Sequence, residues 1–332
     1  MITKRDNGGL CPVYPFTGIP TFLRMREVRD EQELQNVDFD IAVLGVPFDE
    51  GIPFMPGARF GARSIREQSL RFSKDGFYSF DENKIYLTKE LQENRIVDMG
   101  DVSIVPCDTD GNIRNTTAAV RKILGKLSAG NRPLLVSLGG DHSVSYPLVQ
   151  GFDALGEKIH VVHFDAHSDY LGIEPGFEYT NTHPCRQIAK MDHVASLTQV
   201  GIRSSRDLSV LECIKDGNRV IGMKEFHKIG PQGVADAMPA GASCYVSIDI
   251  DALDCSLIPG CVSAEPDGLK FAELADTLAA LAKRCRIVGF DLVEIAPQLD
   301  VPTQITSFLG CNLIVGFLGH ICDQPYWKAR YK

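Results

Sequence analysis

The ten cysteines of this 332-residue chain form no CxxC pair and no zinc-finger spacing, which leaves no framework for a structural zinc ribbon or a dithiol redox motif. They are scattered from Cys11 to Cys322, unlike the dense cysteine pattern of a small secreted domain. No run of lysine and arginine occurs, and 34 basic against 43 acidic residues leave a net charge of −9. That balance argues against nucleic acid or an anionic membrane as the main partner. No segment reads as a membrane span, and the opening residues 1–9 lack the apolar stretch of a signal peptide. A reduced, cytoplasmic protein is expected. Internal repeats, low-complexity tracts and long Pro/Gly/Ser linkers are also missing. What is present, 44% hydrophobic and 23% charged residues, suits one large α/β domain with a substantial core.

Residues 1–38 read as a mixed N-terminal arm with Pro12, Pro15, Pro20 and a charged stretch from Arg24 to Glu33; residues 39–332 read as the catalytic domain. From Asp40 onward, short β-branched or apolar runs alternate with helix-like stretches. Ile41–Val46, Ile96–Met99, Leu134–Leu138, His160–Phe164, Leu197–Val200, Arg219–Ile221, Tyr245–Ile248 and Ile287–Leu292 are predicted strands. Residues 115–129, Phe271–Arg284 and Ile305–Cys322 are predicted helices. This alternation predicts an α/β fold, a single domain with a doubly wound parallel sheet covered by helices on both faces.

Three acidic and imidazole-rich motifs each follow a predicted strand: Gly139-Gly-Asp-His-Ser143, Asp165-Ala-His-Ser-Asp169 and Ser247-Ile-Asp-Ile-Asp-Ala-Leu-Asp254. Open parallel sheets bind ligands outside the carboxyl ends of their strands, so the three motifs point to one crevice. In extended backbone, alternate side chains share a face, which groups Asp165, His167 and Asp169, and likewise Asp249 with Asp251. With His142 they make six oxygen and imidazole donors. Four adjacent carboxylates would repel one another in a desolvated pocket, and bound cations remove that penalty. Two divalent ions, ~3.5–4 Å apart, could share the six and lower the pKa of a water between them from ~16 towards neutrality. A donor set without thiolate suits Mn²⁺; Ni²⁺ and Co²⁺ fit the same ligand types. Any one motif alone reads equally as a turn or helix cap; the three together point to a metal site.

These motifs resemble the three signatures of the ureohydrolases, the arginase and agmatinase family. Gly18-Ile-Pro-Thr-Phe22, Val43-Leu-Gly-Val-Pro-Phe-Asp49, residues 56–66 and Asp291-Leu-Val-Glu-Ile-Ala-Pro297 are similar to further agmatinase segments, so the resemblance spans nearly the whole chain. It implies a three-layer α/β/α, arginase-like fold and a binuclear manganese centre that hydrolyses a guanidino group to urea and an amine. Carried over, the metal ligands are His142, Asp165, His167, Asp169, Asp249 and Asp251. Glu294 is implied to grip the substrate guanidinium, for which a carboxylate fork is apt. Asp169 is implied to relay a proton to the leaving amine. No organic cofactor is needed. A homo-oligomer, trimer or hexamer, is expected; a hetero-oligomer with a related subunit is the alternative.

Two segments depart from the agmatinase pattern. Where the family carries a proton-shuttling histidine, a gap-free match through Pro184 and Arg186 puts Asn181, and the imidazole stands two residues on as His183. His183 is the favoured pocket residue and a catalytic candidate, and Asn181 is a candidate for substrate binding. After the third motif, Cys261 and Val262 replace a polar-plus-glycine pair, Ser263 keeps a hydroxyl and Glu265 is retained. This predicts a tighter, more apolar wall, suited to a smaller or alkylated guanidino substrate than agmatine, with Ser263 among the binding residues. Free guanidine or an N-alkylated guanidine or biguanide, hydrolysed with nickel, is the variant reading. Cys185, Cys255 and Cys261 are read as inert thiols rather than nucleophiles. A one-zinc deacetylase-like amidohydrolase would not need Asp169, Asp251 and His142, and a catalytically idle partner subunit would be expected to have lost ligands that are all present. Five of the residues behind the −9 charge, Asp165, Asp169, Asp249, Asp251 and Glu294, belong to the proposed site.

Overall fold

Alternate residues of a strand face opposite sides of its sheet, and here both sets are apolar. In the computed structural model, which describes residues 14–128 and 130–331, Ile41 and Val43 enter one core while Ala42 and Leu44 enter the other. Leu134, Val136 and Leu138 likewise separate from Leu135, and Val246 and Ile248 from Tyr245. A strand buried on both faces needs cover on both faces.

The strands are β1 (Arg26–Glu27), β2 (Ile41–Gly45), β3 (Phe77–Ser79), β4 (Lys84–Tyr86), β5 (Ile96–Asp101) and β6 (Leu134–Leu138). They continue with β7 (Ile159–Phe164), β8 (Val194–Ile202), β9 (Arg219–Gly222), β10 (Ser243–Asp249) and β11 (Arg286–Val293). Nine form one parallel sheet in the order β1-β5-β2-β6-β11-β10-β7-β8-β9, and β3 and β4 pair as a separate antiparallel ribbon. Helices Gly61–Ser69, Met223–Asp236, Phe271–Arg284 and Ile305–Cys322 cover one face, and Thr109–Gly125 and Ser145–Gly151 the other. The result is the expected three-layer α/β/α arrangement.

Differences from the sequence reading have local causes. The helix expected over 115–129 runs from Thr109 to Gly125, because the Asp108 carboxylate caps it by accepting from Gly111 N. Ala129, and residues 1–13 of the expected arm, lie outside the described residues. In the described part of that arm, Phe22 and Leu23 are buried, Phe22 N donates to Asp98 Oδ2 at 2.7 Å, and β1 extends the sheet edge. Contrary to the expectation of no membrane-length segment, helix Ile305–Cys322 is long and apolar enough to cross a membrane, with a mean hydropathy of 1.7. It is 67% buried within the fold, packed on β11 and neighbouring helices, as the core helix of a three-layer domain must be.

The centre of the sheet sets up the site. β6, β11, β10 and β7 are successive neighbours, and their registers (Leu138 beside Leu292, Val293 beside Asp249, Ile248 beside Phe164) bring their carboxyl ends level. All three motifs and Glu294 leave the sheet at this edge.

Candidate metal centre

The turn after β6 is built on close backbone approach. A Cβ on Gly140 would lie 1.8 Å from Phe48 O, so only glycine lets the chain pass. The next residue, Asp141, is buried and accepts from Gly51 N (2.8 Å) and Ser143 N (2.9 Å), which ties the loop after β2 to the turn. His142 is thereby delivered over the end of β10. Its Nε2 lies 3.0 Å from Ser247 Oγ, whose hydroxyl donates to Asp291 Oδ1 at 2.8 Å; Tyr245 donates to the other Asp291 oxygen at 2.6 Å. With Nε2 occupied by this chain, Nδ1 faces the carboxylates.

Around His142 Nδ1 stand Asp165 Oδ2 at 3.0 Å, Asp169 Oδ2 at 3.1 Å and Asp249 Oδ2 at 3.0 Å. One ring nitrogen carries at most one proton and cannot satisfy three carboxylates. Donors ~2.1 Å from a common ion and at right angles lie about 3.0 Å apart, which is the spacing found. A second group adjoins the first: His167 Nδ1 is 2.9 Å from Asp251 Oδ2 and 3.3 Å from Asp165 Oδ1. Asp165 thus gives one oxygen to each group, the arrangement of a bridging ligand. Asp165 Oδ2 and Asp251 Oδ2 are buried without hydrogen-bond partners, which a cation would supply. All six predicted ligands therefore converge, and their chemistry fits two divalent ions.

The electrostatics agree. Burial, followed by the charge of Asp165, pushes the Asp169 carboxyl well above the usual range; burial and the Asp251 charge do the same to Asp249. Burial works to lower the His142 pKa, but hydrogen bonds to Asp165 and Asp249 hold it well above the ordinary imidazole value. Asp169 and Glu294 both have left-handed backbone, φ 47° and 66°.

Glu294 sits beside the ion groups without joining them. Its Oε1 accepts from His142 N at 2.8 Å and from Asn181 Nδ2 at 3.2 Å, while Oε2 has no partner. Burial raises its pKa to about 7. Ordinary carboxyl pKa values return on unfolding, so the folded, cation-free protein binds extra protons here. Its stability is then present at low pH and falls as pH rises from about 4.5 towards 7. Divalent cations stabilise the ionised carboxylates and cancel that loss. Chelation is accordingly expected to depress Tm more at about pH 7.5 than at about pH 5.5, read by thermal unfolding of chelated and reloaded protein; equal depression at both would contradict the cluster's unrelieved repulsion.

A cavity of about 160 Å³ opens over the cluster, lined by His142, His167, Asp169, Asp249, Asp251, Ser263 and Glu294 of the expected set. Asn181 and Thr182 line it too, whereas His183 does not. His183 starts the short helix Pro184–Ile188 and is buried, which lowers its pKa, and its ring meets the backbone of Leu171 and Phe177. Of the two candidates, the chain brings Asn181 to the site. Residues not picked out from sequence complete the lining: Ile52, Pro53 and Phe54 after β2, Leu171, Arg206, Asp207 and Ser209. No spacing signal marks them, because they come from irregular loops or a helix start. His163 was equally overlooked, although it stands in a motif-bearing strand. It is buried with Nε2 2.9 Å from Asp165 Oδ2 and its other nitrogen against Gln199.

Residues 39–319 match the arginase family. The chain is 33% identical over 319 residues to guanidinopropionase of Pseudomonas aeruginosa, covering 91% of this chain and 92% of that one. It is 30% identical to an agmatinase of Bacillus anthracis, over 80% of this chain and 86% of the other. Among solved structures, proclavaminate amidino hydrolase of Streptomyces clavuligerus superposes with a TM-score of 0.78 at 29% identity, over 92% and 98% of the two chains. Sequence, fold and the converging donors agree: the chain belongs to the arginase family, the ureohydrolases, and is an enzyme of the amidinohydrolase type.

Proposed function

We propose that the protein hydrolyses a small or alkylated guanidino compound to urea and an amine. One observation carries this reading: two buried acceptor oxygens in the cavity residues, Glu294 Oε2 and Asn181 Oδ1, lack partners, and a planar guanidinium offers matching N–H donors. His142, Asp165, Asp169 and Asp249 would hold one divalent ion, and Asp165, His167 and Asp251 a second, Mn²⁺ or Ni²⁺. When bound, the two ions supply a water activated for attack near neutral pH.

The chain's own residues do the rest. Glu294 binds and orients the guanidinium so that its carbon lies over the cluster, converting an encounter into a positioned reaction. Glu265 pairs with Arg206 at 2.8 Å, and its carboxylate lies 3.6 Å from His167 Nε2, a buried atom without a hydrogen-bond partner. Asp169 turns Oδ2 to the ion group, so its other oxygen, Oδ1, would carry a proton and pass it to the departing amine nitrogen. Ile52, Pro53, Phe54 and Leu171 exclude water at the mouth.

The size and lining support a small substrate. A cavity of roughly 150 Å³ takes a molecule about the size of benzene. The charges at the rim are engaged internally, Arg206 by Glu265 and Asp207 by Ser209 N at 2.7 Å, which favours an apolar substituent over a charged tail. A urea-release screen over free guanidine, N-alkylguanidines, guanidinopropionate, guanidinobutyrate and agmatine, with manganese, nickel and cobalt in parallel, tests this. The expected result is highest kcat/KM for the uncharged small substituents; clear preference for agmatine would overturn it.

Asn181 and His183 separate in the same assay. N181A removes an acceptor for the substrate and a donor to Glu294, so kcat/KM is expected to fall by roughly 10–100-fold, the usual cost of about 1.5–3 kcal/mol for a hydrogen bond to a charged group. H183A is expected to stay within about threefold of wild type once loss of folded protein is corrected for. The reverse order would return the role to the imidazole.

A further inference from the structure

The donor set legible in the motifs contains no thiolate, yet the fold brings one to it. Cys261 Sγ lies within 4.8 Å of a carboxylate oxygen of both Asp249 and Asp251, three buried donors gathered around one point. Asp251 belongs also to the group with Asp165 and His167, and its Oδ2 is buried without a partner. Asp251 therefore links the group that holds the thiol to the group with Asp165 and His167. The backbone that carries Cys261 is pinned from three sides. Gly260 N donates to Thr306 Oγ1 at 2.8 Å, Ala296 N donates to Gly260 O at 2.8 Å, and Cys261 forms a bridge with Ile295, next to Glu294. Cys255, by contrast, is exposed, and Cys185 belongs to none of the donor groups.

We infer that Cys261 is an additional ligand, or a ligand drawn in on loading, of the ion position formed by Asp165, His167 and Asp251, and that it biases this position towards a thiophilic divalent ion. A metal–sulfur bond of ~2.3 Å and a metal–oxygen bond of ~2.0–2.2 Å at tetrahedral angles put the donors about 3.6 Å apart. Donors spread to the 4.8 Å limit of this group would close by about an ångström to share one ion. Binding replaces the S–H bond with an S–metal bond, and the proton leaves to solvent. Thiolate favours cobalt, nickel or zinc over manganese, whereas the all-oxygen-and-imidazole position around His142 keeps no such bias. The inference rests on the two-ion reading above.

Cobalt loading tests it without reference to turnover. A thiolate on Co²⁺ adds an intense near-ultraviolet charge-transfer absorption that oxygen and imidazole ligands do not give. Co²⁺-loaded wild type and C255S are expected to show it, and C261S and C261T to lose it entirely. Two substitutions guard against one failing to fold, and thermal unfolding checks each. Metal analysis accompanies every spectrum. Two cobalts per chain without the band, or a band that persists in both Cys261 variants, overturns the ligand while leaving the two-ion reading intact. Less than about one cobalt per wild-type chain overturns both.

Discussion

Asp165→Asn is expected to empty both ion positions and take urea release to background, a loss of more than about 10³-fold. The reason lies in its two oxygens. Oδ2 faces His142 and Oδ1 faces His167, so this single carboxylate closes both donor groups. Its pKa is well below the usual carboxylate range: burial works to raise it, but the neighbouring His163, His142 and His167 rings outweigh that. An asparagine keeps the volume, loses the charge and offers one acceptor where two are needed. Metal analysis after dialysis should give about two ions per chain for wild type and fewer than one for the variant. Retention of two ions by D165N would show that the remaining donors suffice and that Asp165 does not bridge.

Much of this was legible because β-structure writes itself at short range. Alternating apolar residues in Ile41–Gly45 and Leu134–Leu138 encode a sheet buried on both faces, and each motif follows its strand directly, so parallel topology alone makes the ligands meet. Helix Phe271–Arg284 follows its apolar spacing and Ile305–Cys322 its nearly uninterrupted apolar composition, while Thr109–Gly125 starts ahead of its expected bounds, since its first turn is polar and its cap, Asp108, lies outside the apolar pattern.

What stayed hidden depends on contacts distant in sequence. Cys261 reads as a wall residue until β11 and the strand-like bridge to Ile295 fix its backbone beside Asp249 and Asp251. Ile52 and Phe54 reach the cavity only because Gly51 N is held by Asp141, ninety residues further along the chain. Which of the nearly adjacent Asn181 and His183 lines the cavity depends on the loop around them, where Asn181 N donates to Gly51 O at 3.0 Å and the Asn181 amide meets Glu294.

Glu294→Gln is expected to leave both ions bound and lower kcat/KM by roughly 30- to 5,000-fold. Removing one member of a buried charge pair costs about 2–5 kcal/mol, and about 1.4 kcal/mol is tenfold. The glutamine retains an oxygen to accept from His142 N and Asn181 Nδ2, so it turns its amide N–H groups towards the substrate's own donors. Attraction becomes a donor–donor conflict at the atom where Glu294 Oε2 now stands without a partner. Stability moves the other way. Burial holds the Glu294 pKa at about 7, so above that pH the native carboxylate is ionised against a desolvation cost that the neutral amide avoids. Chelated E294Q should therefore unfold at the same temperature as chelated wild type or higher at about pH 8, which separates a loss of substrate grip from a loss of fold. Activity near the wild-type level with a guanidino substrate would remove Glu294 from substrate binding. Loss of an ion from the variant would make it a metal ligand instead, although its carboxylate belongs to neither donor group.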